Sequence, residues 1–213
     1  MLIDPKGACI RQLQPIAVVD AILAKKNLGT SKEMADIVIG LGPGFEAGKD
    51  VHAVVETMRG HFLGRLMYEG KAISNTGIPA KIAGYGEERV IKSPAEGILK
   101  NVKKIADVVN VKDTIAVIET ENGNVEVTTS ISGILRGLIR DDYPVTKGFK
   151  IADVDPRMEE IQNCFTISDK ARCIAGGVLE GILYLRFGNK ISAIRSLATA
   201  RPPCHNWIAV LPP

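Results

Sequence analysis

The residues best equipped for chemistry fall close together, in DIVIGLGPGFEAGKDVHAVVETMRGH from Asp36 to His61. A phosphate loop of the Gly-x-x-x-x-Gly-Lys-Ser/Thr kind, counted back from Gly48, needs a glycine at 43 and a hydroxyl at 50. Those places hold Pro43, which has no amide to donate, and Asp50, whose charge repels phosphate. Gly42, Gly44 and Ala47 fit Gly-x-Gly-x-x-Ala after a strand, the dinucleotide pattern, but the following DVHAVVET does not read as a helix. Two readings stay open: a tight structural turn, or a loop that binds an anion through backbone amides and Lys49. Arg59, His61 and Arg65 cluster around Gly60 and Gly64, which suits a phosphate- or carboxylate-bearing ligand such as a nucleotide or pterin phosphate. A solvated basic turn is the alternative. Asp20, Lys25, Lys26 and Asn27 follow another apolar run and would share the same strand-end edge, or form an ordinary charged helix start. The candidate binding set is Asp20, Lys26, Gly42, Gly44, Lys49, Asp50, Arg59, His61 and Arg65. His52, Glu56 and His61 lack a third ligand at metal spacing, so no metal set is assigned. No catalytic residue is assigned either.

The elements that must position these residues follow from periodicity. Ile16–Val19 and Ile37–Ile39 are short apolar runs about twenty residues apart, as expected of parallel strands joined by a short helical crossover. In DVHAVVET, Val51, Ala53 and Val55 alternate as in a strand, and RLMYEG suggests another. Residues 1–74 therefore read as a partial Rossmann-like α/β region, and the glycine-rich stretch 75–92 as a linker. Residues 93–156 contain a near-repeat. Gly97-Ile98-Leu99-Lys100 matches Gly133-Ile134-Leu135-Arg136, and Lys112-Asp113 matches Lys147-Gly148 one residue out of step. Two such halves predict a small β-sandwich with a pseudo-twofold, centred on a type I′ hairpin at Asn122-Gly123. Residues 157–186 predict a C-terminal helical segment capped by Ser168, with Ala171, Ile174, Ala175, Val178 and Ile182 on its apolar face. Residues 187–213 read as a disordered tail, although ISAIRSLA could form two helical turns, with docking of Trp207 and Ile208 on apolar surface as the other reading.

Hydrophobic residues make up 46% of the 213, and aromatics only 5%, so the core must be aliphatic. The net charge of +3 is a property of the tail: no acid follows Glu180, while Arg186, Lys190, Arg195 and Arg201 do. Without them 23 basic residues face 24 acidic ones, which argues against nucleic-acid binding. Cys9, Cys164, Cys173 and Cys204 form no Cys-x-x-Cys pair, which suggests reduced thiols and a cytoplasmic protein. Asp4 and Pro5 interrupt any signal peptide, and the longest apolar stretch carries Glu180, so no membrane association is expected.

The repeat resembles biotinyl/lipoyl-type barrel-sandwich domains, with Ala106 and Lys112 standing where those usually have glycines. Such domains attach their group to a lysine at the central hairpin. No lysine lies between Asp113 and Thr146, so neither biotin nor lipoate is expected. A wider resemblance is carried by VDAILAKKNLGT, IGLGPGFEAGKDVHAVVETMRGHFLGR, TGIP, SPAEGIL, GILRGLI, KGFKIADVDPR and ISDKARCIAGGVLEGIL. Together these are similar to the YqeB family, accessory proteins of selenium-dependent molybdenum hydroxylases. The resemblance implies α/β followed by β: a partial Rossmann-like segment, a biotinyl/lipoyl-like barrel-sandwich domain and a C-terminal helix. It implies a maturation role through cofactor or partner binding, with a nucleotide or molybdopterin-type ligand and a molybdenum hydroxylase or its maturation factors as partners. Cys164 and Cys173 are expected to be structural thiols, with selenium or persulfide handling as the other reading. The family's upstream strand-loop-helix has no counterpart before Ile3, and nothing after Arg186 matches, as expected of a truncated gene product. The rival function is a nucleotide- or pterin-dependent enzyme using the Asp36–Arg65 region.

Overall fold

A computed structural model describes residues 2–77 and 81–198. The chain divides into two compact units, Met1–Ser74 with Lys170–Pro213, and Asn75–Asp169.

The first unit opens with a short helix, α1 (Ala8–Leu13), and is built on β1 (Ala17–Asp20), β2 (Ile37–Leu41), β3 (Glu46–Ala47), β4 (Ala53–Val55), β5 (Leu66–Met67) and β6 (Gly70–Lys71). The main sheet has the order β1-β2-β4-β5. Its first three strands run parallel and β5 is antiparallel. All five residues of β2 are buried, as a central parallel strand covered on both faces requires. Ile37, Ile39, Leu41, Ala53 and Val55 form one face, packed against the long helix α2 (Asp169–Ala198) through Ile174, Val178, Ile182 and Leu185. Val38 and Val54 point the other way, onto Phe45, Ala47, Val51 and Ala72.

Several expectations for this unit change. No α-helix joins β1 to β2; only a 3-10 helix, Lys32–Met34, precedes β2. Leu23 and Lys25 take φ of 59° and 63°, and the Asn27 side chain accepts from the amides of Gly29 and Thr30, so the connection cannot wind as a helix. In β4 both faces are buried, so Val54 is as covered as Ala53 and Val55 and the alternation has no solvent side. RLMYEG splits between β5 and β6. Ala171 and Ala175 are exposed on α2; the packed side uses Gly177 and Gly181, because a Cβ at Gly177 would lie 2.2 Å from the Gly64 carbonyl oxygen. The helical backbone continues through the expected boundary at 186 as far as Ala198, where a disordered tail was expected; no proline interrupts it. Residues 199–213 lie outside the described ones.

The second unit contains β7 (Val90–Lys92), β8 (Gly97–Asn101), β9 (Val108–Val109), β10 (Thr114–Thr120), β11 (Gly123–Thr128), β12 (Gly133–Leu138), β13 (Tyr143–Val145) and β14 (Lys150–Asp155). They form two separate four-stranded sheets, β11-β10-β8-β13 and β7-β14-β12-β9, rather than a closed barrel. Shifting the numbering by 36 residues exchanges the two sheets strand for strand. The hydrogen bonds repeat with it. Ala106 donates its N–H to Leu99's equivalent, Leu135 O, at 2.9 Å, and Asp142 donates to Leu99 O at 2.9 Å. Lys112 donates to Thr129 O at 2.9 Å, and Gly148 to Ser93 O at 2.8 Å. The core repeats as well: Ile91, Leu99, Val109, Ile115, Ala116 and Ile118 meet Val127, Leu135, Val145, Ile151, Ala152 and Val154. Lys112 is therefore the partner of Gly148, not of Lys147. β7 and the preceding Arg89, which is buried and bonded to Asp153 and Val154 O, extend this unit into the stretch expected as linker. The central connection also shifts by one residue. Thr120 pairs with Gly123, so Glu121 and Asn122 form the loop, and Gly123 supplies the positive φ at 114°.

The halves differ in charge burial at the ends of β10 and β14. Asp155 is fully buried, and its carboxylate accepts from Arg136 at 2.7 Å and from the Arg157 guanidinium at 2.8 and 3.0 Å. Burial alone would raise its pKa, but the arginine bonds outweigh burial and hold it well below the usual carboxylate range. Its counterpart Glu119 is exposed, 3.9 Å from Lys100.

Two outcomes follow. Ala106 and Lys112 sit at φ of 76° and 71°, where the first half needs the left-handed conformation but carries no glycine. Ala106→Gly and Lys112→Gly should each stabilise the protein by about 0.5–1 kcal/mol in urea unfolding, because relief of the left-handed strain exceeds glycine's entropic cost. A carboxyl whose folded pKa is depressed stabilises above its unfolded pKa and loses that contribution as pH falls below it. Asp155→Asn should therefore lower stability at neutral pH and flatten its decline below about pH 4, read from melting temperatures across the acid range.

Candidate functional site

In a parallel sheet, loops leaving the carboxyl ends of the strands form the usual binding edge. Here that edge is made by the loops after Asp20, Leu41 and Val55. They touch one another: the Lys26 backbone lies within 2.8 Å of where a Cβ on Gly44 would be, and Thr57 Oγ1 within 2.4 Å of one on Gly42. Gly42 and Gly44 take φ of 75° and 116°, so the glycines permit close packing between neighbouring loops. The Gly42 amide donates to Val55 O at 2.8 Å.

The acids at this edge serve the backbone. Asp20, buried at the end of β1, accepts from Ile22 N–H at 3.0 Å and from the Thr30 hydroxyl at 2.6 Å. Glu56, 2% exposed, accepts from the amides of Thr57 and Met58 at 2.7 Å each, and from Ile73 at 2.8 Å. Its own carbonyl takes the Gly64 N–H and its amide donates to Arg65 O, both at 2.9 Å. The basic loop 57–65 is thereby anchored at both of its ends. Arg59, His61 and Arg65 are exposed on it, with Arg65 5.2 Å over the Phe62 ring and His61 edge-on to the same ring. The Cys173 thiol on α2 donates to Leu63 O at 3.1 Å and packs on Gly64.

Of the nine candidate residues, Asp20, Lys26, Gly42, Gly44, Arg59, His61 and Arg65 therefore share the carboxyl edge. Lys49 and Asp50 do not. They belong to the turn that enters β4, at the amino-terminal end of the sheet. Asp50 accepts from the Glu46 amide at 3.0 Å, and Lys49 lies 3.7 Å from Glu46. The lysine of the Gly-Lys-Asp sequence thus stands apart from Gly42 and Gly44. His52 accepts the Val38 N–H at Nδ1, at 3.0 Å. Among the described residues no three metal-ligating side chains come together.

Sequence reasoning missed the structural use of Glu56, whose carboxylate takes three backbone amides. It also missed the apolar side chains displayed at this edge: Ile22, Leu23, Leu28 and Phe62 are 43–67% exposed. The left-handed Leu23 and Lys25, each costing about 1–2 kcal/mol, had no sequence signal.

No protein-family model matches the chain. It is 49% identical over 185 residues to an uncharacterized protein, YqeB, of Escherichia coli strain K12. That match covers 87% of this chain and 33% of the relative, so the chain spans about a third of the relative's length. Among solved structures, a succinylglutamate desuccinylase/aspartoacylase from Rhodobacter sphaeroides overlaps 40% of this chain and 29% of its own, with 17% identity and a TM-score of 0.30. The ectoine utilization protein EutE (DoeB) of Ruegeria pomeroyi overlaps 40% and 27%, with 16% identity and a TM-score of 0.28. Overlaps this partial and this loose support no functional argument. No helix among the described residues is long and apolar enough to cross a membrane.

Glu56→Ala would leave three amides without their carboxylate. It should cost about 3 kcal/mol or more in urea unfolding, with Glu56→Gln milder because one side-chain oxygen still accepts.

Proposed function

We propose that this chain is a binding module of YqeB type that serves the maturation of selenium-dependent molybdenum hydroxylases without performing chemistry itself. One observation carries the reading. The two buried acids of the carboxyl edge, Asp20 and Glu56, are engaged by backbone amides and a hydroxyl, while the side chains turned outward are basic or apolar. General acid–base work needs a carboxyl within reach of a substrate proton; a docking surface needs exposed apolar and charged groups on a rigid frame. In this proposal the first unit is a Rossmann-like α/β module whose glycine loop serves packing. The second is a biotinyl/lipoyl-like scaffold without an attachment lysine. The partner is a molybdenum hydroxylase or one of its maturation factors, and any molybdopterin-type cofactor is carried by that partner.

The test is made in the native host. A strain lacking the gene should accumulate the hydroxylase polypeptide with depressed activity and depressed selenium and molybdenum content, measured on the purified enzyme by elemental analysis. Re-expression should restore both. A hydroxylase that is fully loaded and active without the gene would remove the reading.

A further inference from the structure

The three loops of the carboxyl edge share a charge pattern. Residues 21–30, 42–45 and 57–65 contain no Asp or Glu, yet they hold Lys25, Lys26, Arg59, His61 and Arg65. The first and third loops also expose Ile22, Leu23, Leu28 and Phe62. The loops are fixed from beneath, by Asp20 and Asn27 under the first and Glu56 under the third. Leu23 and Lys25 take the left-handed conformation.

We propose that this edge is a preformed docking surface for an acidic protein segment that carries apolar side chains. The proposal rests on the binding-module reading above and names the chemistry of its partner. Charge complementarity selects the segment: basic groups on the first and third loops steer and orient an acidic chain, and the exposed apolar side chains supply the contact area. A rigid surface loses little ordering entropy on association. A small phosphate ligand fits less well, since the Gly42 amide is bonded to Val55 O and the glycines face neighbouring loops. A membrane surface fits less well, since the apolar groups are dispersed over separate loops instead of lining one helix face. Single-stranded nucleic acid asks for a series of stacking rings, and these loops offer Phe62 and His61.

The experiment is a fluorescence-anisotropy titration of the full chain with a labelled peptide of glutamate and leucine, alongside its lysine–leucine counterpart. Sedimentation with phosphatidylglycerol vesicles runs in parallel. The acidic peptide should bind and the basic one should not, with affinity falling as salt rises. The double variant Lys25→Glu, Lys26→Glu should weaken binding about tenfold or more, and Ile22→Ser or Phe62→Ser comparably. Arg65→Glu provides an independent charge reversal should the double variant unfold, with melting temperatures checked for each. Equal binding of both peptides, no binding of the acidic one, or vesicle binding without peptide binding would overturn the proposal. Its failure is distinct from that of the maturation role: the peptide result is read on the purified chain, and hydroxylase loading on the host enzyme.

Discussion

The Glu56 carboxylate is the hinge pin of the first unit. It gathers amides from the end of β4 and from the segment after β6, while its own backbone closes the loop that returns to β5. A carboxylate this buried is tolerable only because backbone donors replace the water it has lost. The arrangement of the edge follows from that requirement. The loop is drawn inward at Glu56 and Gly64, so Arg59 to Phe62 must bulge outward, and α2 can approach Gly64 as closely as Gly177 permits.

The second unit depends on repetition instead. Gly97 and Gly133 hold equivalent places, where a Cβ would lie 2.2 and 2.3 Å from the carbonyl oxygens of Glu119 and Asp155. The scaffold therefore sets the same backbone spacing twice, yet it treats the outer faces differently. Ile134 and Asp155 are fully buried, with a 3-10 helix, Met158–Phe165, following Arg157. Ile98 and Glu119 remain exposed. One half has become a load carried by two arginines, and the other an open sheet surface.

The sequence made the strands legible where burial was continuous, as at Ile37–Ile39, and where the repeat supplied a second copy to compare. The pseudo-twofold was visible from Gly97-Ile98-Leu99 and Gly133-Ile134-Leu135 alone. Its register slipped at Lys112 because lysine occupies a position that its mate fills with glycine, so identity pointed to Lys147. The crossover helix fails because Leu23 and Lys25 are left-handed, which nothing in AILAKKNLGT announces, in a loop that Asp20 and Asn27 pin at Ile22, Gly29 and Thr30. At the candidate site, the residue types were readable but their grouping was not. Lys49 follows Gly44 closely in sequence, yet one short strand and its turn carry it to the other end of the sheet. The YqeB resemblance read from long motifs agrees with the measured identity to the E. coli protein.

The interleaving of the halves bears on how the second unit comes into being. Each sheet takes two strands from residues 90–120 and two from 123–155. A chain emerging from the ribosome as far as Thr120 has half of each sheet and no complete one, so Leu99, Ile115 and Ile118 stay uncovered until β14 is made. The unit is in effect a dimer of half-domains tied by the Glu121-Asn122 loop, and the tie makes association a matter of loop closure rather than of concentration. Cutting that loop would turn a single folding event into the assembly of two fragments.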